Sequence, residues 1–143
     1  MIIEDEIRPK IEKMFSSGKK NMGHAMGIEF LKISRDEMKA RMPVNGNTIQ
    51  PFGILHGGAS VALAETLASI GAWLNLNDDS KTAVGLEINA NHIRPVSAGN
   101  SVTGTAKPIH RGAATQVWET RIETEAGKLV SISRCTLAIV NSR

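Results

Sequence analysis

The sequence predicts an α+β fold in which one long central helix is wrapped by a curved antiparallel sheet of about six strands. Three observations carry that prediction. Residues 57–74 are apolar nearly all round a helical projection, so a helix there must be covered nearly all round. Segments on both sides of it alternate apolar and polar residues with the two-residue period of half-buried strands. The later segments are separated by glycine-bearing sequences of the hairpin-turn type. A sheet curled about a single helix satisfies all three and leaves one stripe of the helix to face another subunit.

Taken in order, Ile3, Ile7, Ile11 and Phe15 recur every four residues and predict an amphipathic helix from Ile3 to Phe15, ended by Ser16-Ser17-Gly18. Residues 1–22 are read as this helix and a connector within a single domain spanning 1–143. Ile28 to Ile33 reads as a strand. Met38, Ala40, Met42 and Val44 alternate with Glu37, Lys39 and Arg41, which predicts a half-buried strand stopping at Pro43-Val44-Asn45-Gly46. A polar loop, Asn45 to Pro51, leads to the central helix, whose end falls near Asn75 to Asp79. Four strands then follow in antiparallel succession: Thr82 to Ile93, with Val84, Leu86, Ile88 and Ala90 on one face; Ser101 to Ile109; Ala114 to Thr124; and Leu129 to Val140.

The formal net charge of +3 is small and scattered, and no DNA- or RNA-reading signature is present, so no nucleic-acid partner is expected. One cysteine, Cys135, excludes an intrachain disulfide and fits a reducing compartment. The first residues carry acids where a secretory signal would carry bases, and a cytoplasmic location is expected. Residues 52–74 approach the length of a membrane span, but four glycines, His56 and a central Glu65 argue for a buried helix and no membrane. The four histidines lack ligand spacing, so no metal is expected, and no Gly-x-Ser-x-Gly nucleophile motif occurs.

Glu65 is the only formally charged side chain between Arg41 and Asp78, and it stands in the middle of the apolar helix. A carboxylate loses hydration there, at a cost of several kcal/mol if it is left unpaired. Alanine or leucine would pack better. Glu65 is therefore the first candidate for a residue that does chemistry.

The run Gln50-Pro-Phe-Gly-Ile-Leu-His56-Gly57-Gly58-Ala-Ser-Val-Ala-Leu-Ala-Glu65-Thr resembles the signature of hotdog-fold acyl-CoA thioesterases. The branch it resembles is PaaI-like and holds the 4-hydroxybenzoyl-CoA thioesterases of the Arthrobacter type and the bacterial 1,4-dihydroxy-2-naphthoyl-CoA thioesterases. The similarity runs from about Gly23 to Val140 and takes in two softer blocks, Asn89-Ala-Asn91-His92-Ile-Arg94-Pro95-Val96 and Pro108-Ile-His110-Arg111-Gly112. Ile93 stands where such proteins often have a second histidine. The resemblance implies hydrolysis of a CoA thioester, with an aromatic or bulky acyl group, by Glu65 acting as nucleophile or general base. It further implies that Gln50 orients the nucleophile or its water, that His56 lies against the thioester or helps hold the carbonyl, and that Val84 lines the pantetheine tunnel. No cofactor is implied, since coenzyme A belongs to the substrate.

Physical chemistry fills in the rest. The Gly57 amide at a helix N-terminus is a ready donor to the oxygen that becomes negative, and glycine lets the carbonyl approach. Ser69, one turn beyond Glu65, is placed to hydrogen-bond its carboxylate. CoA phosphates call for cations, and His92, Arg94, Lys107, His110 and Arg111 fall at strand ends and turns, with Asn91 and Gly112 beside them. Phe52, Ile70, Trp73 and Leu74 are expected to shape the acyl pocket.

Gly57 and Glu65 are eight residues apart, about 12 Å along one helix, whereas a reacting carbonyl lies about 3 Å from both its donor and its attacker. Two antiparallel copies of the helix meet that requirement. The site is therefore expected at the interface of a homodimer, twice per dimer, and the resemblance implies a dimer of dimers. Three rivals stay open at this level: an enoyl-thioester hydratase on the same fold, a thioesterase acting on acyl-carrier-protein esters, and a non-catalytic acyl-CoA-binding module.

Overall fold

In the computed structural model, which describes residues 1–143, the chain begins with a two-residue strand β1 (Ile2–Ile3) and a 3₁₀ turn (Asp5–Ile7). There follow α1 (Arg8–Phe15), the single turn α2 (Met22–Ala25), β2 (Glu29–Ile33), β3 (Met38–Pro43) and the long helix α3 (Gly57–Leu74). Strands β4 (Lys81–His92), β5 (Ser101–Arg111), β6 (Thr115–Thr124) and β7 (Leu129–Asn141) complete it. All seven strands form one sheet in the order β1-β2-β3-β5-β6-β7-β4, antiparallel except where β1 meets β2. The expected α+β architecture, a long helix packed against a mostly antiparallel sheet, is what the chain forms.

The sheet holds α3 through a buried stripe of Leu63, Ala64, Leu67, Ala68, Gly71 and Ala72. Small residues at those positions let the helix sit close. A Cβ on Gly71 would come within 2.6 Å of the Trp118 ring, so this glycine is what admits the fully buried tryptophan beneath the helix. Trp118 Nε1 donates to Gln116 Oε1 at 2.9 Å, and Gln116 Nε2 donates to the Ala72 carbonyl at 3.2 Å. This buried polar chain ties strand to helix and leaves neither side chain unsatisfied. On β3, Met38, Ala40 and Met42 point into the core as the alternation predicts. No helix of the chain is long and apolar enough to cross a membrane.

Three expectations change. The N-terminal helix starts at Arg8 rather than Ile3: Pro9 has no N–H and fits only the first helical turn, so Ile2 and Ile3 pair with β2 instead. Ile7 and Ile11 still anchor the segment in the core. The last four strands are not in antiparallel succession: β5, β6 and β7 form a meander, but β4 pairs with β7 and ends the sheet. The link after β4 returns across the N-terminus of α3, where Leu55 N–H donates to the Val96 carbonyl at 2.8 Å and Ala98 N–H to that of Gly53 at 3.0 Å. Finally, the predicted face of β4 is broken. A bulge between Gly85 and Glu87 shifts the side-chain parity, so Ile88 packs on the core while Val84 and Leu86 face solvent.

Candidate active site

The N-terminus of α3 is built by the loop before it. Gly53, at φ +81°, closes a turn in which its N–H donates to the Gln50 carbonyl at 3.0 Å. Within that turn the Gln50 side-chain oxygen accepts the Phe52 N–H. His56 is the N-cap. Its Nδ1 accepts the Gly58 N–H at 2.8 Å, which puts the proton of the neutral ring on Nε2. Ala59 and Ser60 donate to the His56 carbonyl, at 2.9 and 3.3 Å. The Gly57 N–H is left with no acceptor in the chain. No acidic residue occupies the first turn, so the helix dipole there, roughly half a positive charge, is uncompensated.

A cavity of about 300 Å³ opens onto this terminus, lined by Gln50, Gly57, Ser60, His92, Arg94 and Val130 among others. His92 lies directly on Gly57: a Cβ at position 57 would come within 2.8 Å of its Nε2. Only a glycine leaves that amide open beside the imidazole. The Arg94 guanidinium donates to the Leu129 carbonyl at 2.9 Å and stays exposed. Ser60, buried at 2% exposure one turn into the helix, is a lining residue that the motif did not suggest. Its spacing from Gly57 was the available signal.

Glu65 lies two turns further along, partly exposed. Its carboxylate sits over Gly85 of β4, where any side chain would overlap it. It makes no hydrogen bond and takes part in none of the ion pairs, all of which lie elsewhere. Its charge is felt at Cys135, whose thiol is pushed up to about 11, first by burial and then by the negative charges of Glu65 and Glu87. The sequence suggested deep burial. In the single chain the side chain is only partly buried, with its carboxylate against β4. The suggested Ser69–Glu65 hydrogen bond is not formed; Ser69 lines a separate groove against α1.

The predicted cationic cluster divides into two groups. His92 and Arg94 stand at the N-terminal end of α3, with Asn91 exposed on β4 beside them. Arg111 is at the other end, paired with Asp36 at 2.5 Å and donating to Asn75 Oδ1 at 3.0 Å. Asn75 follows the last residue of α3, about 27 Å from Gly57 along the helix at 1.5 Å per residue. Lys107 is paired with Glu37 at 3.3 Å, and hydrogen bonding from Lys32 holds that carboxyl below its usual range. His110 is exposed and packs on Gly112. Of the expected acyl-pocket residues, Ile70 and Trp73 line the α1 groove, Phe52 is 89% exposed at the tip of its turn, and Leu74 is in the core at 1%.

Comparison with known proteins gives the class to which this helix and sheet belong. The model of the thioesterase superfamily matches residues 52–131. The 1,4-dihydroxy-2-naphthoyl-CoA hydrolase of Escherichia coli K12 is 45% identical over 130 residues, covering 91% of this chain and 94% of that protein. The crystal structure of a Haemophilus influenzae thioesterase superposes with a TM-score of 0.83 at 47% identity, covering 91% and 90%. A mutant thioesterase of Pseudomonas aeruginosa gives 0.85 at 41%, covering 92% and 94%. The chain belongs to the thioesterase superfamily. It is a hotdog-fold thioester hydrolase.

Proposed function

We propose that this protein hydrolyses acyl-CoA thioesters with aromatic or otherwise bulky acyl groups, at sites formed between two copies of the chain. The observation that carries the reading is the pairing, on one helix, of an unpartnered Glu65 carboxylate with an unused Gly57 N–H about 12 Å away. Neither group is needed for packing, and neither can serve a reaction alone. The open edge of β4, with Val84 and Leu86 exposed on it, is where a second copy would join. A two-fold axis there runs the two α3 helices antiparallel and sets Glu65 of one chain against Gly57 of the partner subunit.

In that site the thioester carbonyl oxygen points at the Gly57 N–H, which stabilises the negative charge that develops as the carbon becomes tetrahedral. Glu65 either attacks the carbon, giving an anhydride that water then opens, or takes a proton from the attacking water. On both routes a C–O bond forms, the C–S bond breaks, and the sulfur leaves as a thiolate that water protonates. A thiolate with a pKa near that of free cysteine needs little acid assistance. Gln50 holds the water or carboxylate, and the His56 Nε2–H faces the thioester. His92 and Arg94, with Asn91, meet the phosphates of CoA, while Val84 borders the pantetheine arm. His110, Arg111 and Gly112, at the far end of α3, serve the nucleotide of CoA bound to another subunit in a dimer of dimers. Coenzyme A enters and leaves as part of substrate and product, so no cofactor is required. The aromatic preference follows the E. coli relative, named for a naphthoyl-CoA ester, and the presence of Trp73 one turn beyond Ser69.

Free-thiol release from a panel of acyl-CoAs (benzoyl, 4-hydroxybenzoyl, hydroxynaphthoyl, acetyl, palmitoyl) tests the reading. Glu65→Gln keeps the volume and removes the charge. It is expected to lower kcat by roughly 10³ or more with KM little changed. Near-native turnover in Glu65→Gln would remove Glu65 from the chemistry.

A further inference from the structure

A cavity of about 760 Å³ lies where α1 overhangs the exposed side of α3, bordered by Lys10, Lys13 and Met14 on one side and by Ser69, Ile70 and Trp73 on the other. A second, of about 370 Å³, continues past Met14 toward Phe30 and Thr66. Only Met14 and Ile70 border both. These two residues mark the boundary where the cavities meet.

The boundary lies close to the reacting centre. Ser69 is one turn beyond Glu65, about 6 Å along the axis, and Thr66 and Ile70 stand next to Glu65 and Ser69 in sequence. On the acyl-CoA reading, an acyl group whose thioester carbon is held at Glu65 would pass Ser69 into the first cavity and reach this boundary. The far wall is fixed: Lys10 Nζ donates to the Leu76 carbonyl at 2.7 Å and lies 5.3 Å over the Trp73 ring. Ile70 is β-branched and belongs to the central helix, so it moves little. Met14 is unbranched with three rotatable bonds, and it is only partly buried on a helix whose backbone is pinned by the buried Ile7 and Ile11. It is the movable half of the boundary.

We propose that Met14 sets how large an acyl group the site accepts, admitting compact aryl groups to the first cavity and closing the second to long chains. This rests on the acyl-CoA reading above and assigns a specificity-determining residue to it. No role in the chemical step is assigned to Met14.

The test compares kcat/KM for palmitoyl-CoA and benzoyl-CoA in the unsubstituted protein and in Met14→Leu, Met14→Ala and Met14→Trp. Met14→Ala joins the two cavities and should raise the palmitoyl-to-benzoyl ratio by roughly 10-fold or more, mainly through KM. Met14→Trp should lower the ratio, and Met14→Leu, nearly conserving volume, should leave it within about two-fold. An unchanged ratio in both Ala and Trp variants, or equal loss on every ester, overturns the proposal while leaving the thioesterase reading in place. Failure of the unsubstituted protein to release thiol from any ester overturns that reading, and this proposal with it.

Discussion

Glu65 and Gly57 contribute different parts of the amino acid, a side chain in one case and a backbone N–H in the other, and that difference can be exploited. Gly57→Pro deletes the proposed donor without deleting the helix. Position 57 opens α3, where proline is favoured, and His56 already has φ −70° and ψ 129°, which suits a residue before proline. A Cβ at this position would come within 2.8 Å of the exposed His92 imidazole, which must turn aside to admit it. The expected result is a folded protein with kcat reduced roughly 10²- to 10³-fold, and with KM raised as far as the displaced His92 serves the phosphates, read by thiol release alongside circular dichroism. Native kcat in Gly57→Pro would mean that the oxyanion is held elsewhere. At this scale the sequence was most readable where a residue contradicted its surroundings: one charge in an apolar run, two glycines opening a helix. It was least readable for cations. Arg111 has the same chemistry as Arg94, but its partner Asp36 is 75 positions away, and nothing local says which carboxylate a guanidinium will meet. The capping bond of His56 was likewise hidden, because a loop histidine gives no periodic signal.

The helix and the sheet fit through their smallest residues. Gly71→Ala improves intrinsic helix propensity by about 1 kcal/mol, yet it places a Cβ 2.6 Å from the ring of a buried tryptophan and 3.0 Å from Met38. Overpacking of a closed core costs about 1–3 kcal/mol, so steric strain should win and the urea midpoint should fall with the slope unchanged. A midpoint equal to or above that of the native protein would show that Trp118 can move aside. Element types and approximate bounds were legible because period two and period 3.6 are strong over ten residues or more. What escaped were local exceptions to period. Pro9 moves a helix start by five residues, and the bulge at Gly85–Glu87 exchanges the faces of β4. Strand order escaped for another reason. Alternation shows that β4 is a strand but carries no information on whether β5 or β7 lies beside it.

For the molecule as a whole, the sheet ends at a twelve-residue strand with exposed apolar side chains, and one stripe of α3 carries a carboxylate with no partner. Both features are costly in an isolated chain and useful in a pair. In such a pair each site takes Glu65 from one chain and Gly57 from the other. Co-expression of Glu65→Gln and Gly57→Pro chains under separate affinity tags tests it most directly. A mixed dimer then contains one site with both native groups and one with neither. Dimers purified through both tags should recover about half of native thiol release per dimer, although each parent is nearly inactive. Mixed dimers no more active than their parents would rule out a site shared between the two chains.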